Sequence, residues 1–180
     1  MKRSRMIAIV ITVLLGWHGR GLGGETSSTK VKMVNTNGQE VGEAALTQTP
    51  QGVLIRLSLP QKAARITPGT HAFHIHEVGK CEPPFKSAGE HFNPRGRKHG
   101  FLEAGGGHGG DLPNIYVPES GPLTTEFMAP QLSLKQGKNN LLDADGSALV
   151  IHARGDDYKT DPAGESGDRI ACGVIEGSSK

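Results

Sequence analysis

At 180 residues, with 35% hydrophobic and 21% charged residues, the chain has room for one ordinary globular domain and lacks the composition of a disordered or fibrous protein. Its formal charge of +2 depends on Lys2, Arg3, Arg5 and Arg20, in a stretch without acids; without residues 1–24 the charge would be −2, which gives no sign of a nucleic-acid partner. The 26 glycines and 11 prolines favour an all-β fold with many turns over a helical one.

Residues 1–24 have the layout of a secretory signal peptide: a basic start, an apolar run from Met6 to Trp17, and a Gly-rich polar exit. The apolar run is short for a bilayer-spanning helix of ~20 residues. No A-x-A site is present, so cleavage after Gly23 or Gly24 and retention as an N-terminal anchor both stay open. Membrane association would follow only from retention. Residues 25–30 read as a flexible lead-in.

From Val31 the apolar period is two. Val31 and Met33 alternate with polar residues, Asn37-Gly38 signals a hairpin turn, and 41–46 reads as the return strand. Pro50-Gln51-Gly52 marks the next turn. Val53, Ile55, Leu57 and Leu59 then alternate with Leu54, Arg56 and Ser58 until Pro60. Pro68-Gly69 leads into His71-Ala72-Phe73-His74-Ile75-His76-Glu77. Read as a strand, this stretch puts Phe73 and Ile75 on one face and His74 and His76 on the other, with the imidazoles roughly 7 Å apart along it. That spacing suits two ligands converging on one metal ion.

Residues 77–122 hold many Gly and Pro and three histidines, His91, His99 and His108. A loop this long should be functional or disordered, and Gly105 to Gly110 taken alone would equally read as a flexible linker. Strands are expected over 124–128 and 131–134. Asp143-Ala144-Asp145-Gly146 is a turn, 148–152 a strand, 153–168 a second polar loop, and 170–175 the last strand.

A single histidine is ordinarily a surface or hydrogen-bonded residue, so clustering carries the signal. Seven of the eight histidines fall between 71 and 152. Imidazole suits zinc and copper, and a carboxylate such as Asp111 can complete a zinc shell. Leaving out His71, whose side chain shares the Phe73 face, six histidines and one aspartate are too many for one tetrahedral ion. They suit two ions with one shared ligand. Cys81 and Cys172, behind an export signal, are expected to pair.

The motifs HAFHIHE (71–77), SAGEHFNP (87–94), KHG (98–100), GHGGDLPN (107–114), DGSALVIHARGDDY (145–158) and GDRIACGVI (167–175) stand in the order of the copper/zinc superoxide dismutase family, which this sequence closely resembles from about Val31 to its end. The signal segment and the inserted residues between Cys81 and Ser87 resemble the family's exported bacterial branch. The resemblance implies a Greek-key β-sandwich or barrel of about eight antiparallel strands over 31–180, with long metal-binding and electrostatic loops. It implies one copper, held by His74, His76, His91 and His152, and one zinc, held by His91, His99, His108 and Asp111, with His91 as the bridge. Asp156 matches a carboxylate linking His74 to His99, although Asp157 beside it could be mistaken for it. Cys81 and Cys172 match the family's disulfide, and Arg169 the cation that attracts superoxide.

The implied reaction is superoxide dismutation: one superoxide is oxidised to oxygen, and a second is reduced, with two protons, to hydrogen peroxide. His91 would carry a proton. The implied location is outside the cytoplasm, as a periplasmic, cell-envelope or secreted protein. Superoxide is the only partner in view, and the sequence leaves monomer and homodimer open. A non-catalytic metal-binding homologue is the main alternative; it would be favoured by loss of His74, His76 or His152, and none is lost. A zinc hydrolase would need an open zinc position and a general base, and neither is apparent. Three features depart from the family pattern: Ala72 where glycine is common, the long 81–91 segment, and a short, lysine-poor 153–169 loop.

Overall fold

The structure, a computed structural model, describes residues 27–60 and 66–177. The expected signal or anchor over 1–24 lies outside the described residues. Ser28, Thr29 and Lys30, expected in the lead-in, instead begin the first strand, where Thr29 Oγ1 donates to the Glu176 carbonyl at 2.7 Å.

Nine strands are present among the described residues: β1 (Ser28–Asn35), β2 (Glu40–Thr49), β3 (Gly52–Leu59), β4 (Gly69–His71), β5 (Phe73–His76), β6 (Ile115–Val117), β7 (Leu123–Ala129), β8 (Ser147–His152) and β9 (Arg169–Ile175). Seven form one antiparallel sheet in the order β5-β8-β9-β1-β2-β3-β7, and β4 pairs with β6 apart from it. The hairpin strands β1, β2 and β3 are consecutive, and the last strand returns beside β1, which is the Greek-key arrangement.

The hairpins follow from local chemistry. Asn35 Oδ1 accepts from the backbone N–H of Asn37 and Gln39, both at 3.0 Å, and Gly38 takes a φ of 72°. These bonds close the β1–β2 turn with the residue type that a left-handed position favours. Period-two alternation then buries Val31, Met33, Val53, Ile55, Leu57 and Leu59 in one core with Phe73, Ile75, Leu149 and Ile151.

Strands β5 and β8 are buried on both faces. Their second face carries His74 and His76 on β5, and Ala148 and Val150 on β8. Ala148 and Val150 form a smaller apolar cluster with Phe85, Ala88 and Cys172. The long loops therefore act as the second layer that a sheet face requires. Between β8 and β9 the register shifts, so that His152 stands opposite Arg169 and Ile170 has no partner across the ladder. Such a bulge re-aims side chains at a strand end, and here it brings Arg169 beside His152.

Three further expectations change. The 71–77 stretch is not one strand: the chain leaves β4 at His71 and enters the main sheet at Phe73, with Ala72 bonded to Arg154 and His152. Residues 131–134 form no strand; Leu132 and Leu134 are buried, but their stretch makes only an isolated bridge, Ser133 to Asn140. Alternating apolar residues reached the core there without a ladder. Residues 77–122 contain the 3-10 turn Lys86–Ala88 and β6.

Leu149 is fully buried at the centre of this packing. Leu149→Ala should destabilise the disulfide-intact, metal-free protein by about 2–5 kcal/mol. Urea unfolding followed by circular dichroism checks this, and a loss below ~1 kcal/mol would contradict the packing described.

Candidate metal centre

The outer edge of β5 builds the centre. Two loop segments run along it, because Ile75 N–H donates to Gly110 O and Phe92 N–H donates to Ile75 O, each at 2.8 Å. Gly110 N–H in turn donates to Phe92 O at 2.8 Å. A Cβ at Gly110 would collide with the Ile75 carbonyl, so this approach requires glycine. The same docking sets His91 opposite His76 and Asp111 opposite His74.

Nitrogens of His74, His76, His91 and His152 all lie within 4.8 Å of one another, and all four residues are buried. On three of them the other ring nitrogen is already committed. His74 Nε2 donates to Asp156 Oδ2 at 2.8 Å, and His76 Nδ1 donates to Gly89 O at 3.0 Å. His152 Nδ1 faces Gly167 O at 3.2 Å and Ser166 Oγ at 3.0 Å. Holding one nitrogen fixes the tautomer and turns the other lone pair inward. His76 Nε2 and His152 Nε2 stand 3.4 Å apart, while His74 Nδ1 and His91 Nε2 are buried with no hydrogen-bond partner. Buried polar atoms without partners are rare. Two of them converging with two further imidazole nitrogens are what an all-histidine metal site requires.

A second set shares His91. His91 Nδ1, His99 Nδ1 and His108 Nδ1 lie 2.9, 3.0 and 3.4 Å from Asp111 Oδ1, and His108 Nδ1 lies 3.3 Å from His91 Nδ1. Zinc bonds of about 2.0–2.1 Å give a tetrahedral edge of about 3.3 Å, so these separations fit a closed N3O site. Asp111 Oδ2 is fixed from behind by the N–H groups of Gly100 and His108, both at 2.9 Å.

Asp156 ties the two sets together. Its Oδ2 takes His74 and its Oδ1 takes His99 Nε2 at 2.9 Å. Asn114 clamps the Asp156 backbone, with Asp156 N–H donating to Asn114 Oδ1 at 2.8 Å and Asn114 Nδ2 donating to Asp156 O at 2.9 Å. Gly164 packs directly on the carboxylate, where a Cβ would collide with Asp156 Oδ1. Neither Asn114 nor Gly164 was singled out from sequence; the asparagine of GHGGDLPN was the available signal. Asp157 is exposed and caps the N–H groups of Lys159 and Thr160 instead. His71 is buried, with both ring nitrogens facing carbonyls, His152 O at 2.8 Å and Thr67 O at 2.7 Å, and it has no nitrogen left for a metal.

Arg169 lines a cleft of about 660 Å³ with Lys86, Glu90 and Asp168. Its guanidinium donates from Nη1 to Phe85 O and from Nη2 to Gly89 O, both at 2.8 Å. Gly89 O therefore serves Arg169 and His76 together. Cys81 and Cys172 form the disulfide, with a Cα separation of 5.7 Å across 91 residues of sequence.

The electrostatics of the two sets differ. Burial lowers His91 to about 4 and His152 to about 3, with repulsion from His74 adding to each. Burial, His91 and Arg169 also hold His76 well below the usual histidine value. These three imidazoles are neutral at pH 7, with lone pairs ready for a metal. For His99, burial alone would lower the value, but hydrogen bonds to Asp111 and Asp156 outweigh it and raise it to about 9. Burial opposes charge on Asp111 and Asp156 too, yet their histidine partners hold both well below the usual carboxylate range.

The metal-free protein therefore keeps a proton on His99 at pH 7. The stability this contributes is complete below the unfolded value near 6.5 and is lost as pH rises through about 9. A divalent ion entering at His99 Nδ1 must displace that proton. Zinc binding should release a proton at pH 7, and affinity should rise about tenfold per pH unit between 7 and about 9. Calorimetry in buffers of different ionisation enthalpy checks this; pH-independent affinity over that range would contradict the His99 assignment.

Residues 40–175 match the family model described as copper/zinc superoxide dismutase. Cu-Zn superoxide dismutase 1 of Aquifex aeolicus is 50% identical over 151 residues, covering 82% of this chain and 87% of the relative. The Cu-Zn superoxide dismutase of Caulobacter vibrioides is 46% identical over 144 residues, covering 78% and 80%. The crystal structure of a superoxide dismutase-like protein from Bacillus subtilis superposes with a TM-score of 0.75 at 42% identity, covering 81% of this chain and 97% of that one. With this match over most of its length, the chain belongs to the copper/zinc superoxide dismutase family.

Proposed function

We propose that the chain dismutates superoxide to oxygen and hydrogen peroxide, with copper on His74, His76, His91 and His152 and zinc on His91, His99, His108 and Asp111. The observation that carries this reading is His91, whose Nδ1 lies within one donor set and whose Nε2, buried and unpartnered, turns into the other. Copper held there would supply a one-electron couple suited to accepting an electron from one superoxide and returning it to the next.

The protein's own residues do the rest. Burial excludes water from the four imidazoles. Imidazole ligands suit both oxidation states of copper, the carboxylate in the second set offsets part of the charge of zinc, and His91, serving both sets, would give up its ring N–H. His91 Nε2, when not bound to copper, would hold one solvent-derived proton and pass it to reduced superoxide, the second proton of hydrogen peroxide coming directly from solvent. Asp156 holds His74 and His99 in one orientation. Arg169 presents a cation in the wall of the cleft beside His152, which raises the local concentration of a small anion.

The disulfide supports a compartment outside the cytoplasm, where such bonds persist. Export, with residues 1–24 as the signal, completes the reading. A non-catalytic metal-binding homologue would be favoured by a broken donor set, and both sets are complete.

His152→Ala removes a nitrogen from the first set only. It should lower superoxide turnover by at least about a thousandfold while leaving one zinc per chain and the fold intact. Pulse radiolysis with metal analysis checks this; full turnover in the variant would sink the copper assignment.

A further inference from the structure

The segment 81–90 covers the outer face of β8 and β9; its later half is tied to the 77–78 backbone, where Val78 N–H donates to Ala88 O at 3.0 Å and Glu77 N–H to Glu90 O at 2.9 Å, and its earlier half is attached in two ways. One is the disulfide at Cys81. The other is Phe85, whose ring is fully buried against Ala88, Ala148, Val150 and Cys172. Phe85 has a φ of 70°, in the left-handed region that a bulky residue enters only when its surroundings impose it. Burial of the ring is the favourable term available to offset that conformation.

The backbone consequence lies at the cleft. Phe85 O accepts from Ala88 N–H at 3.1 Å and from Arg169 Nη1 at 2.8 Å. After the single 3-10 turn Lys86–Ala88, Gly89 O accepts from Arg169 Nη2 at 2.8 Å and from His76 Nδ1 at 3.0 Å. Two carbonyls flanking one turn thus fix both arms of the guanidinium and the ring of His76. The disulfide anchors the chain four residues before the first of these carbonyls, whereas the Phe85 ring sits on the same residue as that carbonyl.

We propose that Phe85 is a positioning residue: its buried ring, separately from the disulfide, seats the two carbonyls that aim Arg169 and His76. The functional weight of this rests on the roles proposed above for Arg169 and His76, but the structural relation stands apart from them.

The test is the rate at which phenylglyoxal labels Arg169, followed by mass spectrometry in the full, metal-free, disulfide-intact chain. Arg56, ion-paired with Glu126 at 2.6 Å on the exposed side of β3, is the internal reference. In Phe85→Ala, Arg169 should label about tenfold faster with Arg56 unchanged, and Phe85→Leu should return the rate to within about threefold of the parent. In the copper-loaded protein, the copper(II) hyperfine pattern of Phe85→Ala should also shift as His76 turns. Unchanged Arg169 labelling in folded Phe85→Ala, or an equal rise at Arg56, would overturn the proposal. If Phe85→Ala does not fold, labelling should rise in the order Phe, Leu, Val at this position, and a flat order would overturn it. Superoxide turnover of Arg169→Ala tests the reading beneath, and its outcome is independent of the labelling.

Discussion

Everything in this molecule that bears on chemistry depends on one imidazole being buried between two donor sets. A buried ring normally satisfies at least one nitrogen with a protein partner and leaves the other to water or a donor. His91 instead has Nδ1 at 2.9 Å from Asp111 and Nε2 unpartnered among three other histidines. That placement requires the edge of β5 to accept two loop segments at once, at Phe92 and at Gly110. The rest of the fold reads as the support for that docking: a closed core beneath β5 and β8, and long loops above them.

The support is layered by hydrogen bonds rather than by helices. Each inward nitrogen of His74, His76 and His152 is aimed by what its ring does on the far side: a carboxylate, a carbonyl, or a carbonyl with a hydroxyl. Those partners are themselves held. Asp156 is clamped by Asn114 and closed over by Gly164, and the Gly89 carbonyl belongs to a turn seated by Phe85. The two carboxylates do opposite jobs to the burial around them. Burial strips protons from His76, His91 and His152, whereas Asp111 and Asp156 keep one on His99. A centre prepared in this way would offer neutral lone pairs in the first set and exchange a proton for an ion in the second.

Much of this was legible in the residues because two periodicities are simple. Alternation over Val53 to Leu59 and over Phe73 to His76 set the core face and the histidine face, and both hold in the structure. What escaped was whatever depends on contacts between distant segments. The break between His71 and Phe73 comes from pairing with β6 on one side and β8 on the other. Leu132 and Leu134 alternate like a strand, but no neighbour offers them a ladder. Asn114 clamps a carboxylate-bearing residue 42 positions away, Gly164 packs on that same carboxylate, and Phe85 carries a carbonyl that meets Arg169, and no local spacing announces such contacts. The resemblance supplied the pairing of His74 with Asp156; the sequence pattern alone could not have separated Asp156 from Asp157.

Whether His91 joins two metals through its two nitrogens is decided by magnetism. With copper(II) in the first set and cobalt(II) in place of zinc, an imidazolate bridge couples the two spins. The ordinary copper(II) resonance should vanish in the doubly loaded protein and return when cobalt is replaced by zinc. An unchanged, isolated copper(II) signal with cobalt bound in full would contradict it.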